Sequence, residues 1–343
     1  MNNRIVYIDL LRILATFSVV FLHVAAGNWG NVNIGTFEWN VFNFYDSIVR
    51  FGVPIFVMIS GMFLLNPDRN ISYKDIYCKY VLKIFIAFIS WSLLYAIYTN
   101  KINYSEFNRD VFIKSFIFGH YHLWYLYMLI GLYIITPLLR KVVQDKKAIE
   151  YFLLLSFIFN FVLPIVIRAF ELTDFAIFLK KLDLHFIVGY VGYYIGGYYY
   201  GTYDLKKFSK NTIYVLGVLG LIGTYIFTNI ISLKTGKADS TFYSYFAPNV
   251  MIVSLAIFIF FKYEVSKIHF RDTATSIINI LSGCSFRIYL VHDFFIIFLL
   301  NNGVSTLNYN PIISVPIIAI IVFTGSLIIS YIIGKTPLLK RIL

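Results

Sequence analysis

Residues 5–26 read IVYIDLLRILATFSVVFLHVAA, a largely apolar run of 22 residues that carries Asp9, Arg12 and His23. It is long enough to cross a bilayer. No small-residue cleavage site of the usual kind follows it, so it reads as a first span and not as a removable signal. The rest of the chain has the same character. Of 343 residues, 59% are hydrophobic and only 13% charged, and the mean hydropathy is +0.76. A soluble domain is typically about 45–50% apolar and about 25% charged. That contrast excludes a soluble globular enzyme, a disordered tail and a disulfide scaffold. Cys78 and Cys284 are too few to form a framework and read as free thiols. The net charge of +12 points to basic loops at one membrane face, not to nucleic acid.

Working outward, apolar stretches fall near 5–26, 44–65, 80–99, 121–139, 151–167, 184–201, 212–231, 246–262, 280–300 and 312–334. This predicts an all-α polytopic membrane protein, a bundle of about ten transmembrane helices forming a single domain over residues 1–343, with no soluble extracellular domain. With the N-terminus inside, 18 lysines and arginines fall in inner loops and 8 in outer loops, while Arg12, Arg50 and Arg287 lie in or at the edge of spans. Cytoplasmic loops carry the Lys/Arg excess, so both termini are expected in the cytoplasm. No internal repeat of fixed period is visible.

A charge within an apolar span costs at least a few kcal/mol on insertion scales and marks a functional position by default. Asp9 and Arg12 are three apart and can pair on one helix face. Arg12 and His23 are eleven apart, which returns to within roughly 20° on a helix and separates them by roughly 16 Å along its axis. The fourth span brings His120, His122, Trp124 and Tyr125 to the depth of His23. The ninth carries Ser285, Arg287, Tyr289, His292 and Asp293, with Tyr289 and His292 on one face. Aromatics at a membrane edge are commonly belt residues, but three spans each bringing a histidine suggest a buried polar cavity. Ser60 and Gly61 fall near the depth of Arg12, where small residues also serve close helix packing. Lys79 and Lys83 lie just beyond, in a basic mouth that suits phosphate.

Four ordered segments together resemble the acyltransferase-3 family of membrane acyltransferases. They are Ile8-Asp9-Leu10-Leu11-Arg12 with His23 eleven beyond Arg12; Phe56 to Leu65, similar to F-x-x-S-G-x-x-L; His122-Leu123-Trp124-Tyr125-Leu126, similar to H-x-W-[FY]-L; and Ser285 to His292, similar to S-[YF]-x-I-Y-L-x-H. Where the family has arginines and a proline opening its third span, this chain has Cys78-Lys79-Tyr80-Val81-Leu82-Lys83. The resemblance implies a multi-pass protein of the bacterial cytoplasmic membrane. Its expected activity is transfer of an acetyl or other short acyl group from acyl-coenzyme A, chiefly acetyl-CoA, to a hydroxyl of a polysaccharide, glycolipid or lipid-linked sugar. Within that frame His23 is the expected base, or alternatively the nucleophile of an acyl-imidazole, with Arg12 and Asp9 beside it in the catalytic set. Arg12, Ser60, Lys79 and Lys83 are expected on the donor, and His122, Trp124, Tyr125, Tyr289 and His292 on the acceptor side. No metal is expected. The competing reading is a glycolipid or ion-coupled transporter, in which buried Arg and His relay protons or line a path.

Overall fold

A computed structural model describes residues 5–103, 107–185 and 187–336; Arg4, Lys340 and Arg341 of the inner basic set lie outside the described residues. Helix α1 is Val6–Trp29. The next span is broken into α2, Phe37–Val49, and α3, Gly52–Leu64. The break falls at Arg50 and Phe51, and Pro54 sits in the first turn of α3, where a missing N–H costs no intrahelical bond. There follow α4 (Tyr73–Lys101), α5 (Arg109–Phe118), α6 (Trp124–Val142), α7 (Lys146–Ala169) and α8 (Thr173–Lys181). Helices α9 (Val191–Thr202), α10 (Lys207–Thr235) and α11 (Pro248–Tyr263) come next. The last two are α12 (Asp272–Asn301) and α13 (Pro311–Lys335).

Among the described residues nine segments are long and apolar enough to span a membrane, counting α2–α3 and α5–α6 as one segment each. No strand is present among them. The outward faces of α10 and α13 stay apolar: Ile317, Ile320, Ile328 and Ile332 of α13 are all exposed. A helix that is hydrophobic all round belongs in a core or in lipid. Contacts across the bundle put the basic loops at one end. Arg140, at the end of α6, donates to the carbonyls of Leu64, Asn66 and Arg69 after α3. Lys262, at the end of α11, donates to the Tyr203 carbonyl just after α9.

The sixth expected span, 184–201, differs from its expectation. Its regular part is α9, 12 residues long, or roughly 18 Å against a hydrocarbon core of about 30 Å. The reason lies in its glycines. A Cβ on Gly61 would stand 1.8 Å from the carbonyl oxygen of Tyr194, and one on Gly197 would stand 2.0 Å from that of Met58. Helices α3 and α9 therefore touch backbone to backbone, the small-residue packing of membrane helices. The chain enters α9 through Gly189 at φ +81°, held by the Asn160 side chain, which donates to the Gly189 carbonyl and accepts from its N–H. Gly197→Ala and Gly61→Ala should each force these backbones apart. Overpacking of this kind typically costs about 1–3 kcal/mol or more. The expected result is a lower melting midpoint in detergent and less folded protein, whereas Gly27→Ala, with nothing within 4 Å of its Cβ, should leave both unchanged.

Candidate functional site

Two cavities open from opposite ends of α1. The first, of about 490 Å³, is at the basic end and is lined by Arg12, Ser60, Lys79, Lys83, Ser285 and Arg287, with Tyr125, Tyr133 and Tyr289 at its deeper wall. Its size lies in the range of small-molecule sites. All four residues expected on the donor are in this lining. Arg12 is fixed from two sides: its Nη1 is 3.5 Å from Asp9 Oδ1 and 3.4 Å from Ser282 Oγ. The Ser282 hydroxyl in turn donates to Asp9. Asp9 thus sits behind Arg12, away from the cavity lining. Arg287, read from sequence as a charge carried by the ninth span but not assigned to the donor, is a further cation of the lining. Its Nε donates to the Ser330 carbonyl at 2.8 Å, and Gly334 lets it approach α13 so closely that a Cβ there would meet Nη2 at 2.7 Å.

The first cavity ends at Val19, Tyr125 and Tyr289, one helical turn, about 6 Å, short of His23. A second cavity of about 220 Å³ starts at His23 and is lined by Asn28, Asn31, Ser305 and Thr306, with no lysine, arginine, aspartate or glutamate. The Asn28 amide donates to Thr306 Oγ1 at 2.7 Å and Ser305 Oγ at 3.2 Å, tying α1 to the turn before α13.

Between the cavities the histidines from three spans meet. His23 Nδ1 lies 2.6 Å from His292 Nε2, with the rings stacked at 4.9 Å. His122 stands edge-on to His292 at 5.1 Å and to His23 at 6.3 Å, and the Tyr289 hydroxyl donates to the His122 carbonyl. The hydrogen bonds assign the tautomers. A carbonyl only accepts, so His292 Nδ1, 2.6 Å from the Tyr289 carbonyl, carries a proton. With both rings neutral, His292 Nε2 accepts from His23 Nδ1–H, and the lone pair of His23 is left on Nε2. An oriented imidazole with a free ring nitrogen is the group that takes a proton from a hydroxyl near neutral pH. His292→Ala should leave His23 free to turn or change tautomer. Losses of this kind at an orienting partner run to about 10–100-fold, to be read as the turnover rate of the catalysed reaction per folded molecule.

The remaining expected residues divide. Tyr125 and Tyr289 face the first cavity and pack edge to face at 5.4 Å. Trp124 belongs to a separate aromatic wall with Tyr190 and Tyr245, at centroid distances of 5.7 and 6.0 Å. The sequence reading passed over Asp46 and took Arg50 only as a cation in or at the edge of a span; the two form an ion pair near the α2–α3 break, Asp46 buried and Arg50 half-buried, with the Arg50 guanidinium 4.2 Å above the Tyr243 ring. The signal was present: Arg50 interrupts an apolar span as Arg12 does.

The described residues thus form a helical membrane bundle in which histidines from three spans meet between a basic cavity and one without charged side chains. The chain belongs to the acyltransferase-3 family, described as an acyltransferase domain, which it matches over residues 5–335. It is 24% identical over 259 residues to a Staphylococcus aureus protein, from strains MSSA476 and MW2 among others, named "Probable poly-beta-1,6-N-acetyl-D-glucosamine export protein". That match covers 74% of this chain and 71% of the relative. Residues of an Enterococcus faecalis protein named "Amino-acid racemase" are 33% identical over 157 positions, covering 41% of this chain and 20% of that one. No solved structure matches.

Proposed function

We propose that the chain moves a short acyl group, acetyl in the simplest case, from acyl-coenzyme A at the basic cavity to a sugar hydroxyl in the neutral one. The observation that carries this is the arrangement along α1: cations around Arg12 at one depth, an oriented His23 at another, and a cavity at each. The phosphates of the donor would meet Lys79, Lys83 and Arg287, with Arg12 deepest. The pantetheine arm would carry the thioester toward His23. His23 Nε2 takes the proton of the acceptor hydroxyl as its oxygen attacks the thioester carbon. The C–S bond then breaks, and the leaving thiolate recovers the proton from His23. The protein's part in this step is the proton carried by His23, and the step needs no metal. The second cavity has no charged side chain, and its Asn28, Asn31, Ser305 and Thr306, set among apolar Val24, Leu299 and Val304, suit a neutral sugar such as N-acetylglucosamine, the unit in the printed name of the staphylococcal relatives. That name also speaks of export. The tyrosine and histidine side chains that separate the two cavities favour passing an acyl group over passing a glycan.

The test is purified protein with labelled acetyl-CoA and a β-1,6-linked N-acetylglucosamine oligomer as first acceptor. Alkali-labile label on the glycan, or slow donor hydrolysis without acceptor, is the expected result. Neither product, with glycan moved across a vesicle, would favour transport. The orientation is part of the same proposal, with both termini and the basic cavity in the cytoplasm. A reporter active only in the cytoplasm should therefore work at the C-terminus and fail near Asn302, and the reverse pattern would reject it.

A further inference from the structure

Beside the His23–His292 pair lies a second cluster that the proposed transfer does not use: His120, His122 and Asp293. We infer that these three side chains hold a divalent cation of the zinc class. His120 and His122 flank Tyr121 in the turn before α6, and Asp293 follows His292 on α12. His120 Nδ1 is 3.1 Å from His122 Nδ1 and 3.2 Å from Asp293 Oδ2, and one donor atom from each residue lies within 4.8 Å of the others. Zinc bonds of about 2.0–2.1 Å in tetrahedral geometry put neighbouring ligand atoms about 3.3 Å apart. The two separations that involve His120 match edges of such a tetrahedron, and the third, between His122 and Asp293, is within 4.8 Å.

A second observation favours an ion over a hydrogen-bonded cluster. Asp293 Oδ2 is buried and accepts no hydrogen bond; its ion-pair contact is the His120 ring at 3.2 Å, which carries a charge only when protonated. A carboxylate oxygen in that position is costly unless something positive faces it. Among the described residues no lysine or arginine pairs with Asp293. The other oxygen, Oδ1, is taken by the Tyr121 hydroxyl at 2.7 Å, an outer contact that fixes how a ligating carboxylate points. Stacking at 4.5 Å on Tyr95 orients the His120 ring, while the side chain keeps 17% of its surface exposed and offers a way in. Three protein ligands leave a fourth position for water. The cation would clamp the turn before α6 onto α12 and hold His122 against His292. It acts as a clamp and not as a reactant, so the inference stands apart from the acyl-transfer reading.

The full chain, purified in detergent with a tag free of histidine, is stripped with chelator, dialysed and titrated with Co²⁺. About one equivalent should bind with the visible absorption of tetrahedral cobalt, and Zn²⁺ should displace it. His269→Ala, at an exposed loop histidine, should bind equally well. His120→Ala and Asp293→Asn should each lose the signal, and chelator should lower the melting midpoint of the wild type but not of these variants. Should Asp293→Asn fail to fold, the more peripheral His120→Ala carries the comparison. Wild-type protein that takes up no stoichiometric Co²⁺ or Zn²⁺, or variants that bind as the wild type does, would overturn the inference.

Discussion

His23→Gln should insert, fold and bind donor close to normally, yet transfer almost nothing. Glutamine keeps the size of the side chain and its hydrogen bonding. It can still donate to His292 Nε2, which lies 2.6 Å from His23 Nδ1 in the native protein. What it cannot do is accept a proton and return it. Loss of a general base costs about 10²–10⁴ in rate. Acyl transfer to glycan in membranes, normalised to folded protein, measures this directly. A rate within a few-fold of the wild type would remove His23 from the chemistry and revive the transporter.

The second large effect is on donor affinity. Arg12→Ala should weaken binding of acyl-coenzyme A while leaving the histidine group in place, because Arg12 and His23 are about 16 Å apart along α1. A hydrogen bond to a charged group contributes about 1.5–3 kcal/mol, which is roughly 10- to 150-fold in the dissociation constant. Arg12→Lys should recover only part, since the planar fork that also meets Asp9 and Ser282 is lost. Ser282→Ala should produce a smaller change of the same sign, because it loosens Arg12 without removing it. Calorimetry or fluorescence with a non-hydrolysable donor reads all three. Normal binding by Arg12→Ala would take the arginine out of the donor site.

These two residues were legible in the sequence because both signals are local. A charge in an apolar run is anomalous wherever it folds, and spacings of three and eleven on one helix fix a shared face. For the same reason Asp9, Arg12 and His23 could be arranged without a structure. The meeting of His23 with His292, and of Arg12 with Ser282, depends on how α1 packs against α12. Residues some 270 positions apart leave no periodic trace of that. The carboxylate of Asp293 shows the limit well. It was visible as a charge in the ninth span, but its neighbours His120 and Tyr121 come from another helix pair. Helix α9 was misjudged in length for a related reason. Gly192, Gly196 and Gly197 read as part of an apolar span, whereas two of the three are backbone and side-chain contact points at Met58 and Ser156. Asp46 and Arg50 were legible by the rule applied to Arg12, yet their pairing at a helix break needed the break to be seen.

The most direct test is acyl transfer across a sealed bilayer. Protein would be reconstituted in vesicles with its basic end facing out, labelled acetyl-CoA supplied outside and β-1,6-linked N-acetylglucosamine oligomer enclosed within. The account predicts acetylated glycan inside, formed while coenzyme A stays outside, and none with His23→Gln. Glycan leaving the vesicles unmodified, or acetylation that proceeds equally well with His23→Gln, would contradict it.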